Sequence, residues 1–511
     1  MSVINQKKTF MFETNKNYKW WVLIAMCLGL VMENLDISIV NLAVPDIAKS
    51  LQTGLSQMQW VLNAYLVLGA IFMVIGGRLG DILGQFRVLW IATFIFTLAS
   101  FFCAFSPNAD SLIASRALQG IGFGMSLPLI VAINFYVFPV NQRALVISIG
   151  MAVSGIAQIM GPFLGGLLLQ FWSWHSVFLI NLPVGVLGLL LIWLVMPKKP
   201  LIGERETIDW IGAALFILSL LSILIALTEV SAWGITSWTF LLCMTFGILL
   251  FAVFILVEQK RKHPLIDLNL FKIKIYWQSS LIRILCSFIY CSFLFLMPLY
   301  LQSILGKTPF WSGMIFLLMN VGYAGMSIFN DKLLSVFGEK KSLAISFILY
   351  FVSLVTTVIA VVVDNNWLLY VSLLVQGMTT SIMIVTTATV ALGAVSKEKS
   401  GLASGVFYTI STLGFSVSIA AVGSLLVSVS NLYLFKKIND MTLTAAQFFK
   451  LQAAAQGIHS LKALAEIFPA KLAHTMIVLA HHAFILGFVG AMILNMILVG
   501  MAALLLRRVD T

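Results

Sequence analysis

The sequence predicts an all-α integral membrane protein of fourteen transmembrane helices: two six-helix lobes, spans 1–6 and 9–14, and an inserted central pair, spans 7–8. Composition is the first reason, because 60% of the 511 residues are hydrophobic and only 10% are charged, whereas soluble chains carry roughly 25% charged residues. The second reason is a series of apolar runs long enough to cross a bilayer. The third is a weak internal repeat. Together they exclude a soluble enzyme, a secreted domain and a disordered chain.

Each predicted span is a run of mostly apolar residues close to the length of about 20 that a helix needs to cross the hydrocarbon core. In chain order, the runs cover approximately 20–44, 57–77, 87–105, 111–135, 144–169, 176–196, 209–229, 236–257, 276–303, 310–333, 342–363, 367–392, 400–427 and 476–506. The five cysteines lie within such runs, which indicates apolar packing rather than a disulfide framework.

Lysine and arginine residues determine the expected orientation, because cytoplasmic loops hold them in excess. They occur in both tails and in every second loop, whereas the short loops on the other side hold only Lys49 and Lys307. We therefore expect a multi-pass protein of the plasma membrane, the bacterial inner membrane, with both termini cytoplasmic. The net charge of +12 lies between apolar runs rather than on one basic face, so we expect no nucleic-acid partner.

The spans divide the chain into predicted segments. They are a cytoplasmic tail (1–19), the N-terminal lobe (20–197), a linker with spans 7 and 8 (198–275), the C-terminal lobe (276–506) and a cytoplasmic tail (507–511). The C-terminal lobe contains an extracellular loop, 428–475. Within it, residues 442–468 predict an amphipathic helical hairpin, broken near Gly457, on the outer membrane surface. A structural cap is the favoured role, and a substrate gate is the alternative.

Two sequence echoes define the repeat. The stretch from Gly77 to Arg87 after span 2 has a degraded copy after span 10, in which Ser335 stands in place of Asp81. Gln119-Gly120 in span 4 is echoed by Gln376-Gly377 in span 12. Both echoes relate spans 1–6 to spans 9–14 in the same direction, and parallel halves of six helices are typical of transporters.

Charged residues inside the membrane are the main candidates for function, because they are costly there. Glu33 and Asp36 lie three residues apart in span 1 and so share a helical face. Two carboxylates this close in a poorly hydrated cavity resist simultaneous ionisation, which suits proton coupling. Arg116 in span 4 shares a face with Gln119, and pairing of a carboxylate with a buried arginine is the structural alternative. Arg283, near the cytoplasmic end of span 9, is expected to snorkel.

Span 5 combines glycines with a proline. Its Gly155, Gly161, Pro162, Gly165 and Gly166 either allow close helix packing or allow a bend that seals a cavity.

Neutral polar residues and histidines complete the candidates. Asn41, Gln119 and Gln376 could line a central cavity. Adjacent His481 and His482 have no metal-ligand spacing. The sequence contains no nucleotide-binding motif or hydrolase triad, so we expect no cofactor, no metal and no enzyme activity.

Five motifs in order resemble the major facilitator superfamily, specifically its fourteen-span drug:proton antiporter branch. They are the span 1 segment from Leu35 to Pro45, the loop from Gly77 to Arg87, Arg116 to Gly120 in span 4, the Gly-Pro stretch of span 5, and Trp172 to Gly185 at span 6. Ser38 replaces the usual threonine of the first motif, and His175 stands near a position where arginine is common.

The resemblance implies a role for each matched residue. Asp36 is a proton or substrate site, and Arg116 tunes its protonation. Gly77, Asp81, Gly84 and Arg87 form a gate, in which Asp81 latches the cytoplasmic side by charge interaction with Arg87 and with the N-terminal end of span 13. The motif does not demand Glu33, whose extra charge favours cationic amphipathic substrates.

The expected function is a proton-coupled antiporter of multidrug efflux type that exports amphipathic, cationic or neutral small molecules by alternating access. Its partners are then the small-molecule substrate, protons and the lipid bilayer, and we expect a monomer. One alternative is a dedicated transporter of a specific metabolite, such as a siderophore, a lipid-like molecule or an amino acid, because fold does not fix substrate. Another is a membrane-embedded enzyme or sensor.

Overall fold

The computed structural model describes residues 17–197, 209–261, 266–395, 400–438 and 443–508. Helices are the regular structure of these ranges, and no strand occurs in them. Fourteen of the helices are long and apolar enough to cross a membrane. The predicted fold class and the number of spans are therefore confirmed.

The first six spans are formed by seven helices. They are α1 (Tyr18–Leu51), α2 (Leu55–Leu83), α3 (Gln85–Ala104), α4 (Ala109–Val137), α5 (Val140–Phe171), α6 (His175–Leu179) and α7 (Asn181–Val195). The short α6 continues into α7, and together they form span 6. Several helices extend beyond their predicted runs because their ends carry polar residues, which lower hydropathy without interrupting a helix.

The remaining helices form spans 7 to 14 and the connection before the last span. They are α8 (Trp210–Trp233), α9 (Trp238–Glu258), α10 (Lys274–Leu299), α11 (Pro309–Phe337), α12 (Glu339–Val362), α13 (Asn366–Gly393), α14 (Ser400–Ile438), α15 (Ala445–Ala455), α16 (Leu464–Ile467) and α17 (Ala470–Arg507). A turn of π-helix, Tyr300–Ile304, extends α10.

Packing repeats between the two halves. In the first half α4 packs on α2 and α3, and α1 packs on α5; in the second half α13 packs on α11 and α12, and α10 packs on α14. Helices α8 and α9 pack mainly on each other, and α8 also contacts α2 and α14. The inserted pair therefore lies at the side of the two halves.

Glycines at equivalent turns show the repeat in the backbone. Gly84 ends α2 with φ +97°, and Gly338 ends α11 with φ +73°. This left-handed conformation suits glycine because a Cβ atom strains it. The degraded copy of the loop motif thus keeps its turn although it has lost the aspartate.

Buried amides show the repeat in side-chain contacts. Gln119 on α4 donates a 2.8 Å hydrogen bond to Ser100 Oγ on α3. Gln376 on α13 donates a 2.9 Å bond to Thr357 Oγ1 on α12. Both pairs are 19 residues apart in sequence, so the Gln-Gly echo corresponds to the same side-chain contact in each half.

The connection before the last span is shorter than the predicted loop 428–475. Helix α14 continues to Ile438 and α17 begins at Ala470, while residues 439–442 lie outside the described structure. Leu434 and Ile438 explain the longer α14, because both are buried against α17 near Met476. The helical break near Gly457 is present, with φ +74° at that residue.

The hairpin formed by 443–469 packs on protein, and its position relative to the membrane surface stays a prediction. Leu451, Ala454, Leu461 and Leu464 are buried in one cluster with residues of α14 and α17. Helices α14 and α17 thus bury apolar residues of the hairpin.

We name the two sides of the bundle by what they carry. Because the number of spans is even, both ends of the described chain lie on one side, the terminal face. The other side carries α15 and α16 and is the hairpin face.

Candidate functional site

Asp36 of α1 forms a buried ion pair with Arg116 of α4. Arg116 Nη1 lies 2.5 Å from Asp36 Oδ2, and both side chains are almost completely buried. The other oxygen, Oδ1, accepts hydrogen bonds from Gln119 Nε2 at 2.9 Å and from Asn181 Nδ2 at 3.0 Å. The ionised carboxylate is therefore compensated by one cation and two amide donors.

The guanidinium of Arg116 is fixed on several sides. Its Nε donates to the carbonyl oxygen of Val61 at 3.1 Å, and its Nη1 donates to Gln119 Oε1 at 2.6 Å. Its Cζ lies 4.1 Å from the ring centroid of Tyr65, a cation–π contact. Arg116 therefore has partners that can hold it when Asp36 is neutral.

Small residues on α4 bring the helices of this site together. A Cβ atom at Gly120 would collide with the backbone of Tyr65, and one at Gly124 would collide with the backbone of Gly69. Close approach of α2 and α4 places the Tyr65 ring and the Val61 carbonyl beside Arg116. Ser100 of α3 completes the support, because it accepts hydrogen bonds from both Gln119 and Asn181.

Glu33 has different surroundings from Asp36. It is buried, its Oε1 accepts a hydrogen bond from Ser126 of α4, and its Oε2 accepts none from the described residues. No ion pair of Glu33 is present in the described part of the chain. The two carboxylates thus share a helix face and contact α4 at different levels, and electrostatic coupling between them stays a prediction.

The other polar cavity candidates lie apart from this network. Asn41 donates to the carbonyl oxygen of Ile37 on its own helix at 2.7 Å. Gln376 bonds to Thr357 between α12 and α13. Of the three candidates, only Gln119 contacts Asp36.

The glycines of α5 face two different helices. A Cβ atom at Gly161 would collide with Ser38 of α1, and one at Gly165 would press on Ile39. Gly166 lies against Phe310 of α11, whereas a Cβ atom at Gly155 would meet no atom within 4 Å. These contacts agree with close packing.

The proline of α5 lies inside a continuous helix. The structure assigns α5 from Val140 to Phe171 across Pro162, so a functional bend stays a prediction. Sequence reasoning missed Gly313 of α11, where a Cβ atom would collide with the Pro162 carbonyl. No motif marked this glycine.

The proposed gate residues are placed at the terminal face. Gly84 makes the turn between α2 and α3, Arg87 is exposed in the first turn of α3, and Gly77 faces Pro128 of α4. The side chain of Asp81 lies outside the described structure. The charged latch therefore stays a prediction.

Hydrogen bonds between the halves lie from the hairpin face to the middle of the bundle. Gln59 of α2 donates to the carbonyl oxygen of Ile419 at 2.7 Å, and Gln302 donates to that of Leu42 at 2.8 Å. Towards the terminal face, a Cβ atom at Gly155 of α5 or Gly325 of α11 would meet no atom within 4 Å, while Asn320 of α11 donates to the carbonyl oxygen of Gln158 of α5 at 3.2 Å. The described hydrogen bonds thus join the halves from the hairpin face to the middle of the bundle.

The predicted snorkelling of Arg283 is wrong. Its side chain is buried, Nε donates to Ser411 Oγ at 2.9 Å, and Nη1 donates to the carbonyl oxygen of Ile384 at 2.9 Å. The polar atoms of α13 and α14 hold the guanidinium inside the bundle, so it does not extend to the interface. Sequence reasoning had its charge as a signal but could not see these partners.

Other functional candidates that sequence reasoning missed are neutral and polar. Asn181 contacts Asp36, and Ser126 contacts Glu33. Asn181 lies inside the motif from Trp172 to Gly185, which was a usable signal, whereas Ser126 lies in no motif. His481 and His482 lie beside each other on α17, and the described residues contain no group of potential metal ligands.

Comparison with solved structures supports the fold. A bacterial homologue of the human lysosomal transporter Spinster, solved inward-facing and unoccupied, superposes with a TM-score of 0.68 at 14% identity, covering 96% of this chain and 98% of that one. An auto-inhibited POT family peptide transporter gives a TM-score of 0.62 at 15% identity, covering 96% and 97%.

Sequence relatives are transporters. The riboflavin transporter RibZ of Clostridioides difficile (strain 630) is 31% identical over 86% of this chain and 93% of that protein. The putative multidrug resistance protein MdtD of Salmonella heidelberg (strain SL476) is 30% identical over 81% and 88%. The multidrug resistance protein Stp of Mycobacterium tuberculosis (strain CDC 1551 / Oshkosh) is 30% identical over 79% and 75%.

The family model of the Major Facilitator Superfamily matches residues 26–209 and 210–419. Its members are transporters and not enzymes, which removes the alternative of a membrane-embedded enzyme. The chain therefore belongs to the Major Facilitator Superfamily, and its fourteen spans and multidrug-resistance relatives fit the fourteen-span drug:proton antiporter branch.

Proposed function

We propose that the protein is a proton-coupled antiporter that exports amphipathic cationic or neutral small molecules by alternating access. It works as a monomer in the bacterial inner membrane, with the terminal face and both termini in the cytoplasm. The observation that carries the proposal is the buried network of Asp36, Arg116, Gln119 and Asn181 on α1, α4 and α7. An ionisable group that is fully paired inside the membrane is a functional site by default.

Protonation of Asp36 changes the bonding of Arg116. A proton on the carboxyl group removes the charge that attracts Nη1, while Gln119, the Val61 carbonyl and the Tyr65 ring remain to hold the guanidinium. Loss of the 2.5 Å ion pair loosens the contact between α1 and α4. The proton thus couples to helix packing, and it leaves the charge of Arg116 without its carboxylate partner.

Glu33 supplies the preference for cations. An ionised carboxylate in low dielectric is costly without a cation nearby, and the described structure pairs Glu33 only with the Ser126 hydroxyl. A bound cationic substrate compensates this charge. Antiport requires that substrate and proton exclude each other, and we assign the proton to Asp36, three residues away on the same helix face.

The proposed direction of export is from the terminal face to the hairpin face. Hydrogen bonds from Gln59 and Gln302 join the halves from the hairpin face to the middle of the bundle, which supports a state that accepts substrate from the terminal face. Closing that face and separating the hairpin face releases substrate outside, and protonation from the outside favours its release.

A dedicated metabolite transporter is the second candidate. The relative RibZ, which is named as a riboflavin transporter, is 31% identical over 86% of this chain. This identity is similar to that of the multidrug relatives, so riboflavin is a substrate candidate alongside multidrug substrates.

Inverted membrane vesicles with an imposed pH gradient test the proposal. Uptake is measured for cationic dyes, quaternary ammonium compounds, neutral amphipathic compounds and riboflavin. Gradient-dependent uptake of several unrelated cations or neutral compounds supports multidrug export. Uptake of riboflavin alone establishes the second candidate, and uptake that ignores the pH gradient contradicts proton coupling.

A further inference from the structure

The second half contains a buried cation without a carboxylate partner. Arg283 of α10 has 6% of its surface exposed, and it donates hydrogen bonds to the Ser411 hydroxyl and the Ile384 carbonyl. No ion pair of Arg283 is present in the described ranges. Its Nη2 atom donates no hydrogen bond to a described residue. The charge of this guanidinium is therefore not compensated by the protein around it.

Aromatic groups surround this cation. The ring centroid of Phe407 lies 5.5 Å from Arg283 Cζ. The phenol groups of Tyr323 on α11 and Tyr408 on α14 are near enough to interact with it electrostatically. The surroundings therefore combine one positive charge with three flat aromatic groups contributed by two helices.

The cation lies in the part of α10 nearer the terminal face. Arg283 is nine residues after Lys274, the first residue of α10, which is about 14 Å along the helix. On the neighbouring helices, a Cβ atom at Gly325 of α11 or Gly405 of α14 would meet no atom within 4 Å, so neither position is closed by a neighbouring helix. The inference requires an approaching molecule to reach this level from the terminal face.

We propose that Arg283 forms an anion subsite that binds the carboxylate of planar aromatic substrates. This inference rests on the proposed export function and extends its substrate class from cations and neutral compounds to zwitterions and acids. A carboxylate accepts hydrogen bonds from Nη2, and its charge compensates the guanidinium in a low-dielectric site. Phe407, Tyr323 and Tyr408 pack on the attached rings.

The subsite complements the carboxylate of the first half. Glu33 on α1 and Arg283 on α10 are buried charges of opposite sign on opposite halves, and neither has an ionic partner among the described residues. A zwitterion carries a charge suited to each, whereas a cation carries one suited only to Glu33.

Two dyes with one ring system test the subsite. Rhodamine B carries a free carboxylate, and its ethyl ester is a cation without one. Binding of each dye to the purified full-length protein in lipid nanodiscs is measured for the wild type, Arg283→Gln, Arg283→Lys and the control Arg507→Gln, which changes an exposed arginine at the end of α17.

The expected result is a selective loss. Arg283→Gln should weaken binding of the acid on the order of tenfold or more and leave binding of the ester nearly unchanged. Retained ester binding also shows that the variant is folded. Arg283→Lys should retain part of the preference, and Arg507→Gln all of it. Equal weakening of both dyes by Arg283→Gln overturns the subsite and makes Arg283 structural.

Further outcomes distinguish failure of the anion subsite from failure of the proposed export function. If the acid binds only when chloride is present, an inorganic anion controls the site and the assignment to substrate is overturned. Ester export that persists while the acid shows no dependence on Arg283 contradicts the subsite and leaves the export function standing. A wild type that neither binds nor exports either dye contradicts both.

Discussion

Glu33 and Asp36 are three residues apart on α1, yet the helices around them give the two carboxylates different chemistry. Arg116, Gln119 and Asn181 pair both oxygens of Asp36, whereas Glu33 has the hydroxyl of Ser126. We therefore assign the proton-sensitive ion pair to Asp36 and the attraction for cations to Glu33.

Substitution Glu33→Gln separates these roles. The amide keeps the shape and can still accept a hydrogen bond from Ser126, but it cannot be charged. We expect cationic substrates to bind on the order of tenfold more weakly, or about 1.4 kcal/mol, with neutral substrates little affected. Binding of a cationic dye and a neutral analogue to the purified variant measures this. The matched control Ser126→Ala keeps the charge, and an equal loss for both compounds in Glu33→Gln would reject the assignment.

At the scale of elements, the glycines of α5 allow α1, α5 and α11 to pack closely, in a contact that we call the joint. Gly161 contacts Ser38 of α1, and Gly313 of α11 contacts the Pro162 carbonyl. Side chains at these positions would separate helices that meet near the hairpin face. We infer that the joint depends on small residues on both halves.

A matched pair of alanine substitutions tests the joint. Gly161→Ala places a methyl group against Ser38, so we expect a loss of about 1–3 kcal/mol from overpacking and a lower thermal unfolding temperature. Gly155→Ala lies on the same helix but meets no atom within 4 Å, so it should unfold at or slightly above the wild-type temperature. Equal unfolding temperatures for the two variants would show that the contact with α1 is not tight.

The hairpin is expected to loosen in acid. Burial, together with Lys49 of α1 and Lys450 of α15, lowers the pKa of His459, so the docked hairpin favours the neutral imidazole. Docking is therefore strongest above the ordinary histidine pKa of 6.5 and weakens as the pH falls below it, because the undocked histidine binds a proton more readily.

Hydrogen exchange of residues 445–468 at about pH 8 and about pH 5 measures this effect. Comparison with His459→Gln at each pH cancels the intrinsic pH dependence of exchange. We expect the wild type to lose protection in acid relative to the variant. An unchanged ratio between the two proteins would mean that His459 does not control docking.

The elements show what sequence can and cannot determine. Fourteen spans follow from hydropathy. Asp36 and Arg116 are recognisable as candidates because they are charged residues within apolar spans. Arg283 was visible for the same reason, but its surroundings depend on which helices meet there.

The neutral partners of the charges were harder to predict. Asn181 and Ser126 have no such contrast with their neighbours, because neutral polar residues are common in these helices. The end of α14 was also misjudged, because Leu434 and Ile438 in its last turns are buried in one cluster with the hairpin.

At the scale of the molecule, we propose that two six-helix halves close alternately at the hairpin face and at the terminal face. The hairpin-face closure is visible in bonds such as those from Gln59 and Gln302. The terminal-face closure is a prediction that rests on the loop motif from Gly77 to Arg87.

Substitution Asp81→Asn tests the second closure. Loss of the latch charge should shift the population towards states open at the terminal face, because it removes a contact made only when that face is closed. Labelling of a cysteine introduced by Gly325→Cys, at a position that borders open space, should become faster. The native Cys103, which is fully buried on α3, is the control, and unchanged labelling at position 325 would argue against the latch.

The central claim is that Asp36 couples proton and substrate. Transport by Asp36→Asn in inverted vesicles with an imposed pH gradient tests it, alongside substrate binding and substrate exchange without a gradient. Because removal of one partner from a buried ion pair costs about 3–5 kcal/mol, retained binding is needed to show that the variant is folded. The account predicts that binding and exchange persist while gradient-driven transport is abolished, since an amide cannot titrate. Full gradient-driven transport by Asp36→Asn would contradict the account and place the proton site elsewhere.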